Sequence, residues 1–224
     1  MKQETENTLK QFRLLTHWPL PLAVLSIATY GAIISPEFSL DRLILTYLMV
    51  FFGLVLAAYS IDALYSDWKD LITISDNTLK TIAIIGLVGF IVIAVYETLI
   101  ISLTGIIVTV LIVAAVVLYN TNNKYLHNKY GFAITWGSMI SVLSYYYQSL
   151  SFSAVLIPLF IASFLIAMQE WYTTNRSSPM QKEITSMDKG DSRRIMRKET
   201  FRSTALMCYS NFMIAMTLLT WKII

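Results

Sequence analysis

The chain has little of what a soluble or cross-linked domain needs. Its 224 residues include one Cys, 8 Gly and 5 Pro, and only 14% of them are charged. A single cysteine excludes a disulfide scaffold, and so few glycines and prolines exclude a collagen-like repeat. An ordinary soluble domain has about 25% charged residues. The low charge therefore argues against a soluble enzyme domain.

Common catalytic motifs are missing as well. The sequence has no Gly-x-Ser-x-Gly elbow, no Walker loop and no Gly-x-Gly-x-x-Gly turn, which would mark many hydrolases and nucleotide-binding proteins. It has two histidines, His17 and His127, with no His-Glu-x-x-His motif and no cysteine cluster, so we expect no zinc site. We expect the lone Cys208 to be a small buried core residue.

What the chain has in abundance is apolar sequence. Hydrophobic residues make up 56% of it, more than a water-soluble globule of this size can bury. A helix that crosses a membrane needs roughly 20 mostly apolar residues. The sequence therefore predicts an all-α, polytopic transmembrane bundle, a single domain over 1–224 in the cell membrane. Its seven predicted spans are about 18–35, 42–64, 79–99, 101–120, 131–150, 153–173 and 203–221.

Few polar residues mark the boundary between the third and fourth spans. Between residues 81 and 119 the ionisable side chains are Tyr96, Glu97 and Tyr119. One helix of this length would be about 60 Å long, twice what a membrane needs. We expect a tight hairpin near 97–104 instead, with Glu97 at its turn. We also expect Tyr145, Tyr146 and Tyr147 to belong to an interfacial aromatic belt.

Positive charges predict the orientation of these spans. With a cytoplasmic N-terminus, 15 of the 17 Lys and Arg residues lie inside, and only Arg42 and Lys222 lie outside. The longest inner segment, 174–202, has eight basic and four acidic residues and is expected to be a cytoplasmic loop. Its second half, 192–202, has the pattern of a basic amphipathic helix. We expect anionic lipid head groups as partners of this charge, and no nucleic acid.

Acidic residues cluster at the inner end of the second span. Asp62 is followed by Asp67 and Asp70, and Asp62 and Asp70 share a face if the helix continues. A carboxylate at the edge of hydrocarbon needs a cavity or a cation, either Mg²⁺ or a basic side chain. We therefore predict all three as catalytic residues, with Asp62 and Asp70 as Mg²⁺ ligands. The alternative is that Asp67 and Asp70 belong to a solvated loop and that Asp62 is merely paired.

A further acid, Glu170, lies at the inner end of the sixth span. The predicted topology places it at the membrane depth of Asp62, so acids from two helices would face one polar cavity. We add Glu170 to the predicted catalytic residues. The alternative is an interfacial glutamate paired with Arg176.

These features resemble the UbiA superfamily of membrane prenyltransferases. The likeness consists of Arg13 before His17-Trp18-Pro19, the aspartates after the second span, the tight hairpin, and Gly131-Phe132 with Trp136-Gly137 opening the fifth span. It implies a helical bundle in which two cytoplasmic aspartate-rich motifs hold Mg²⁺ on an isoprenyl diphosphate. The first motif is Asn-x-x-x-Asp-x-x-x-Asp, and Asp62 can be placed in it in two registers. One register aligns Ala58, Asp62 and Ser66 with the three positions, and the other aligns Asp62, Ser66 and Asp70. In the second motif, Asp-x-x-x-Asp, Glu170 and Thr174 occupy the positions of the two aspartates.

Three functions follow as hypotheses. The first is a prenyltransferase in which the three aspartates share Mg²⁺ and basic side chains hold the diphosphate; these are Arg176, Arg193, Arg194 and Lys198. The second is a non-catalytic lipid-binding or complex-assembly protein on the same scaffold. The third is a small transporter, for which matched halves with broken helices would be expected. For all three functions, membership of an oligomer or a membrane complex stays open.

Overall fold

A computed structural model describes residues 19–65, 74–101, 104–121, 125–186 and 192–224. This part of the chain forms seven helices and no strand, so the predicted all-α class is confirmed. The helices are α1 (Pro19–Ile34), α2 (Leu40–Tyr65), α3 (Asp76–Ile101), α4 (Thr104–Asn120), α5 (129–149), α6 (Leu156–Ser186) and α7 (Ser192–Ile223). Within the described ranges, Leu40–Tyr65 and Asp76–Leu99 are long and apolar enough to cross a membrane.

Two predicted connections differ from the structure. The hairpin between the third and fourth helices is present, because α3 ends at Ile101 and α4 begins at Thr104. Glu97, however, lies within α3 and not at the turn. The predicted loop 174–202 is helical over most of its length, since α6 continues to Ser186 and α7 begins at Ser192. Methionine, glutamine, lysine and glutamate in 180–183 all favour helix, which explains the extension of α6.

Polar side chains define where α2 and α5 begin. Ser39 precedes α2, and its Oγ accepts a hydrogen bond from the backbone N–H of Arg42 at 3.4 Å. Asn128 precedes α5, and its Oδ1 accepts from the N–H groups of Tyr130 at 2.9 Å and Gly131 at 3.1 Å. The first N–H groups of a helix have no partner within it, so these side chains stabilise both starts.

Two helices contain π-helical turns near their centres. They cover Phe51–Ala58 in α2 and Ala133–Ser138 in α5. A π-helical turn accommodates an extra residue and changes which side chains face the neighbouring helices. Such turns often occur at functional sites, and both of these border the same internal cavity, described below.

Small residues lie where two helices approach most closely, among larger buried side chains such as Ile27 and Leu54. α1 lies between α5 and α7, α2 packs on α3, and α5 packs on α6. A methyl group at Gly31 of α1 would overlap the backbone carbonyl of Ser141 in α5. Some hydroxyl groups on the buried helix faces bond within their own helix, as when Ser26 Oγ donates to the carbonyl of Leu22 at 2.7 Å. Others bond to the next helix, as when Ser144 Oγ of α5 donates to the carbonyl of Ala28 in α1 at 2.6 Å. Polar groups are thereby satisfied without widening the contact.

Large apolar side chains cover the outer surface instead. Along α3, α4 and α6 the exposed residues include Ile84, Ile85, Val88, Val92, Ile107, Val110, Leu111, Ile157, Ile161 and Leu165. Tyr145, Tyr146 and Tyr147, by contrast, are at most 2% exposed, so their prediction as a surface belt is wrong. The buried phenol groups have partners: Tyr147 bonds to the hydroxyl of Thr109 at 2.9 Å, and Tyr145 bonds to that of Ser153 at 2.8 Å.

Gly31→Ala should lower stability by about 1–3 kcal/mol, because the added methyl group would force α1 away from α5. Gly105→Ala is the matched control. Its methyl group would lie 3.2 Å from the Thr98 hydroxyl, a side-chain atom, and alanine favours helix. Thermal unfolding of the purified protein measures both. Equal melting temperatures for the two variants would contradict the close contact between α1 and α5.

Candidate functional site

A buried tyrosine connects the acids of α2 and α6. Tyr59 lies one helical turn before Asp62, and it is only 8% exposed. Asp62, Glu170 and Cys208 all act on it electrostatically, which brings groups from α2, α6 and α7 together. With Tyr119 and His127, these residues form what we call the Asp62 site.

Glu170 is buried against α7. It is 1% exposed, and its Oε1 accepts a hydrogen bond from the thiol of Cys208, which is fully buried. The sequence predicted Cys208 as a core residue; the structure adds that it contacts Glu170. Because a buried carboxyl group needs donors, this contact joins the Asp62 site to the last helix.

His127 lies between α4 and α5 and is held in one orientation. Its Nδ1–H donates to the backbone carbonyl of Tyr119 at 2.9 Å. Its ring stacks on the ring of Tyr119, with centroids 4.9 Å apart. Asp62 lies within electrostatic range of both residues. Sequence reasoning placed His127 in the inner loop after the fourth span and missed its electrostatic interaction with Asp62, since no spacing relates residues 62 and 127.

Aromatic rings surround the histidine. The centroid of Phe132 lies 5.9 Å from that of Tyr119 and 5.4 Å from that of Trp171. The His127 and Trp171 rings meet edge to face at 6.4 Å. We call these four residues the aromatic cluster. Ring faces beside carboxyl groups form a surface that can stabilise positive charge.

Several predicted site residues cannot be placed in this geometry. Asp67 and Asp70 lie outside the described residues, and so do four basic side chains: Arg176, Arg193, Arg194 and Lys198. Among the residues that the structure does describe, no three His, Cys, Asp or Glu side chains are placed to hold a metal ion. Mg²⁺ binds several oxygen ligands, and Asp62 beside His127 does not supply them. The described residues alone therefore do not fit a Mg²⁺ site.

An apolar cavity lies between α2, α3, α4 and α5. It has about 20 Å³ of space open to a water-sized sphere, which makes it a narrow slot. Val116 and Trp136 line it, one helical turn from Tyr119 and Phe132 of the aromatic cluster. The slot therefore leads from the neighbourhood of the Asp62 site towards the centre of the bundle.

A second buried polar cluster lies at the opposite end of α2. Gln148 is fully buried, and its side-chain amide makes two hydrogen bonds to the backbone of Ser39. Its Oε1 accepts from the N–H of Ser39 at 2.6 Å, and its Nε2 donates to the carbonyl of Ser39 at 3.2 Å. The Nη1 of Arg42 donates to the carbonyls of Tyr147 at 3.2 Å and Gln148 at 2.8 Å. Glu97 is fully buried within electrostatic range of Arg42, and its carboxyl oxygens have no hydrogen bond to any described residue. We call this region the Gln148 end.

The chemistry of the Asp62 site follows from its own residues. Comparisons of the chain with models of known protein families, with curated proteins and with solved structures found no match. Carboxyl groups beside aromatic rings favour a cation or a centre that develops positive charge. An imidazole and a phenol at the same place can accept or donate a proton.

His127→Ala should lower stability by about 1–3 kcal/mol, because it removes a buried hydrogen bond and an aromatic contact. His127→Asn should recover part of this loss, since its amide N–H can replace Nδ1–H. Tyr65→Ala, at a side chain that is 59% exposed, is the control and should change stability by less than about 0.5 kcal/mol. Chemical unfolding in detergent measures all three. A His127→Ala variant as stable as the wild-type protein would contradict the structural role of the imidazole ring.

Proposed function

We propose that the chain is an integral protein of the cell membrane with seven spans and a cytoplasmic Asp62 site. The apolar outer surface of α3, α4 and α6 supports this, because water would not favour so much exposed hydrocarbon. The distribution of Lys and Arg supports the orientation. In this arrangement the polar ends of α6 and α7 extend beyond the hydrocarbon into the cytoplasm.

The proposed activity is that of a prenyltransferase acting on an isoprenyl diphosphate at the Asp62 site. The observation that most supports it is that Asp62 and Glu170 both lie within electrostatic range of Tyr59, near an aromatic cluster and an apolar cavity lined by Val116 and Trp136. A polar head group and an apolar chain need these two environments side by side. The slot would have to widen to take more than the end of a chain.

The reaction would use these residues in a simple order. The bond between the allylic carbon and the diphosphate oxygen breaks, and the pyrophosphate leaves with the electron pair. The aromatic cluster stabilises the allylic cation. A lipid-soluble acceptor then forms a bond to that carbon and loses a proton to a group of the site. In this proposal the basic residues of α6 and α7 (Arg176, Arg193, Arg194 and Lys198) bind the diphosphate, and Asp67 and Asp70 assist Asp62 with Mg²⁺, as the family resemblance implies.

A non-catalytic lipid-binding or assembly protein is the second candidate. It is favoured by the way the polar groups of the Asp62 site bond to the protein itself. Glu170 accepts from Cys208, and His127 donates to Tyr119. Groups already bonded in this way can hold a bundle together without turning over a substrate.

The proposed topology predicts opposite accessibility for two exposed positions. The two variants are Tyr125→Cys, at a position just before α5, and Phe152→Cys, at a position just before α6. Both are made in a protein that also has the Cys208→Ala substitution. In intact cells, a membrane-impermeant maleimide should label the cysteine at 152 and spare the cysteine at 125. Permeabilised cells are the control, because both cysteines should then react. Labelling of both, or of neither, in intact cells would contradict the seven-span arrangement.

The proposed activity predicts release of pyrophosphate from farnesyl or geranylgeranyl diphosphate by the reconstituted protein, with Mg²⁺ and a panel of lipid acceptors. Asp62→Asn should lower the rate by about 100-fold or more if Asp62 takes part in the reaction. Asp41→Asn, at an exposed acid near the Gln148 end, should leave the rate unchanged. No pyrophosphate release by the folded wild-type protein would contradict the activity, and a copurifying isoprenoid would then favour the second candidate.

A further inference from the structure

An open apolar groove runs along the side of the bundle at the Gln148 end. It lies between α1, α6 and α7 and has a volume of about 470 Å³. Its walls include Ile34, Ala162, Ile166 and Leu218, and few polar atoms face it. It is far larger than the internal slot of about 20 Å³, and it opens to the outside of the bundle. The Asp62 site does not use it.

One end of the groove has a positive charge. Lys222 follows the wall residue Leu218 by four positions, so both lie on the same face of α7. Its Nζ donates to the backbone carbonyl of Ser35 at 3.4 Å, which places the ammonium group next to the end of α1. An ammonium group has three N–H donors, so this long contact leaves capacity for an anion.

An unsatisfied hydroxyl lies at the same place. Ser35 directly follows the wall residue Ile34 and is 1% exposed. Its Oγ has no hydrogen-bond partner within the described ranges of the chain. Because the protein encloses this hydroxyl, the exposed ammonium group of Lys222 is the polar group at this end that we expect a ligand to reach.

We propose that this groove binds one acyl chain of an anionic phospholipid, whose phosphate contacts Lys222. The chain would fill the apolar groove, and the ammonium group of Lys222 would form a charge-assisted hydrogen bond with an anionic head group. Trp221, which is 81% exposed beside Lys222, is a residue type enriched where membrane and water meet. The site depends on the membrane location but not on prenyl transfer, because it lies away from Asp62.

Lipid retention by the purified protein tests the site. The protein is equilibrated in mixed micelles with equal amounts of phosphatidylglycerol and phosphatidylcholine, and bound lipid is counted by native mass spectrometry. We expect one phosphatidylglycerol per wild-type chain. Ala162→Trp should fill the groove and lower this occupancy at least tenfold. Ala114→Trp adds the same ring at an exposed position of α4, outside the groove, and should have no effect.

The head-group contact has its own pair of variants. Lys222→Gln should abolish the preference for phosphatidylglycerol over phosphatidylcholine, while Lys80→Gln, at an exposed lysine of α3, should preserve it. A preference that survives in Lys222→Gln would overturn the proposed contact. Retention of oleate in place of phospholipid, when oleate is added as a third competitor, would overturn the assignment to a phospholipid.

A measurement on the wild-type chain covers the case in which Ala162→Trp fails to fold. A phosphatidylglycerol with a photoreactive group in its acyl chain should label peptides from 155–166 and 218–224. Uniform labelling of all exposed helices would overturn the site. Pyrophosphate release by each variant is measured in parallel. Loss of lipid with normal release supports this site alone, so its failure can be told apart from failure of the proposed activity.

Discussion

The close contact between α1 and α5 is the constraint on which the rest of the bundle depends. At Gly31 the two helices are so near that a methyl group would meet the backbone of Ser141. Such a distance requires a small residue at the point of contact, and nearby the Ser144 hydroxyl of α5 bonds to the backbone carbonyl of Ala28 in α1 at 2.6 Å. Large apolar side chains lie both in the core and on the outer surface of α3, α4 and α6.

The two polar clusters of the bundle differ in whether their side chains are available to bind a ligand. At the Gln148 end, the amide of Gln148 and the guanidinium of Arg42 satisfy backbone groups of neighbouring helices. These bonds fix where α2 begins and α5 ends. At the Asp62 site, by contrast, side chains from α2, α6 and α7 lie within electrostatic range of Tyr59, and Cys208 of α7 bonds to Glu170 of α6. A site of side chains from several helices can bind a ligand by small rotations, without breaking a backbone bond.

The aromatic residues of the bundle lie in two separate buried groups, which their positions in the chain did not indicate. Tyr145, Tyr146 and Tyr147 looked like surface residues of a helix end, yet all three are buried. Phe132, Tyr119 and Trp171 come from three helices and pack around His127. The difference depends on partners distant in sequence, such as Thr109 for Tyr147, which no local pattern shows. Glu97 shows the same limit of local patterns. As the one acidic residue in a long apolar stretch it suggested a turn, yet its side chain is buried and it lies within α3.

The sequence by itself determined the helical class, the seven helices and a break between the third and fourth near 97–104, because apolar run length and charge position are local properties of a chain. It also pointed to Asp62 and Glu170 as acids that needed an explanation. Only the tertiary structure decided that Tyr59 lies near both, that Cys208 contacts Glu170, and that His127 lies beside Asp62. These contacts depend on how the helices rotate and pack against one another. That rotation is set by small residues such as Gly31, whose partners are more than a hundred residues away along the chain.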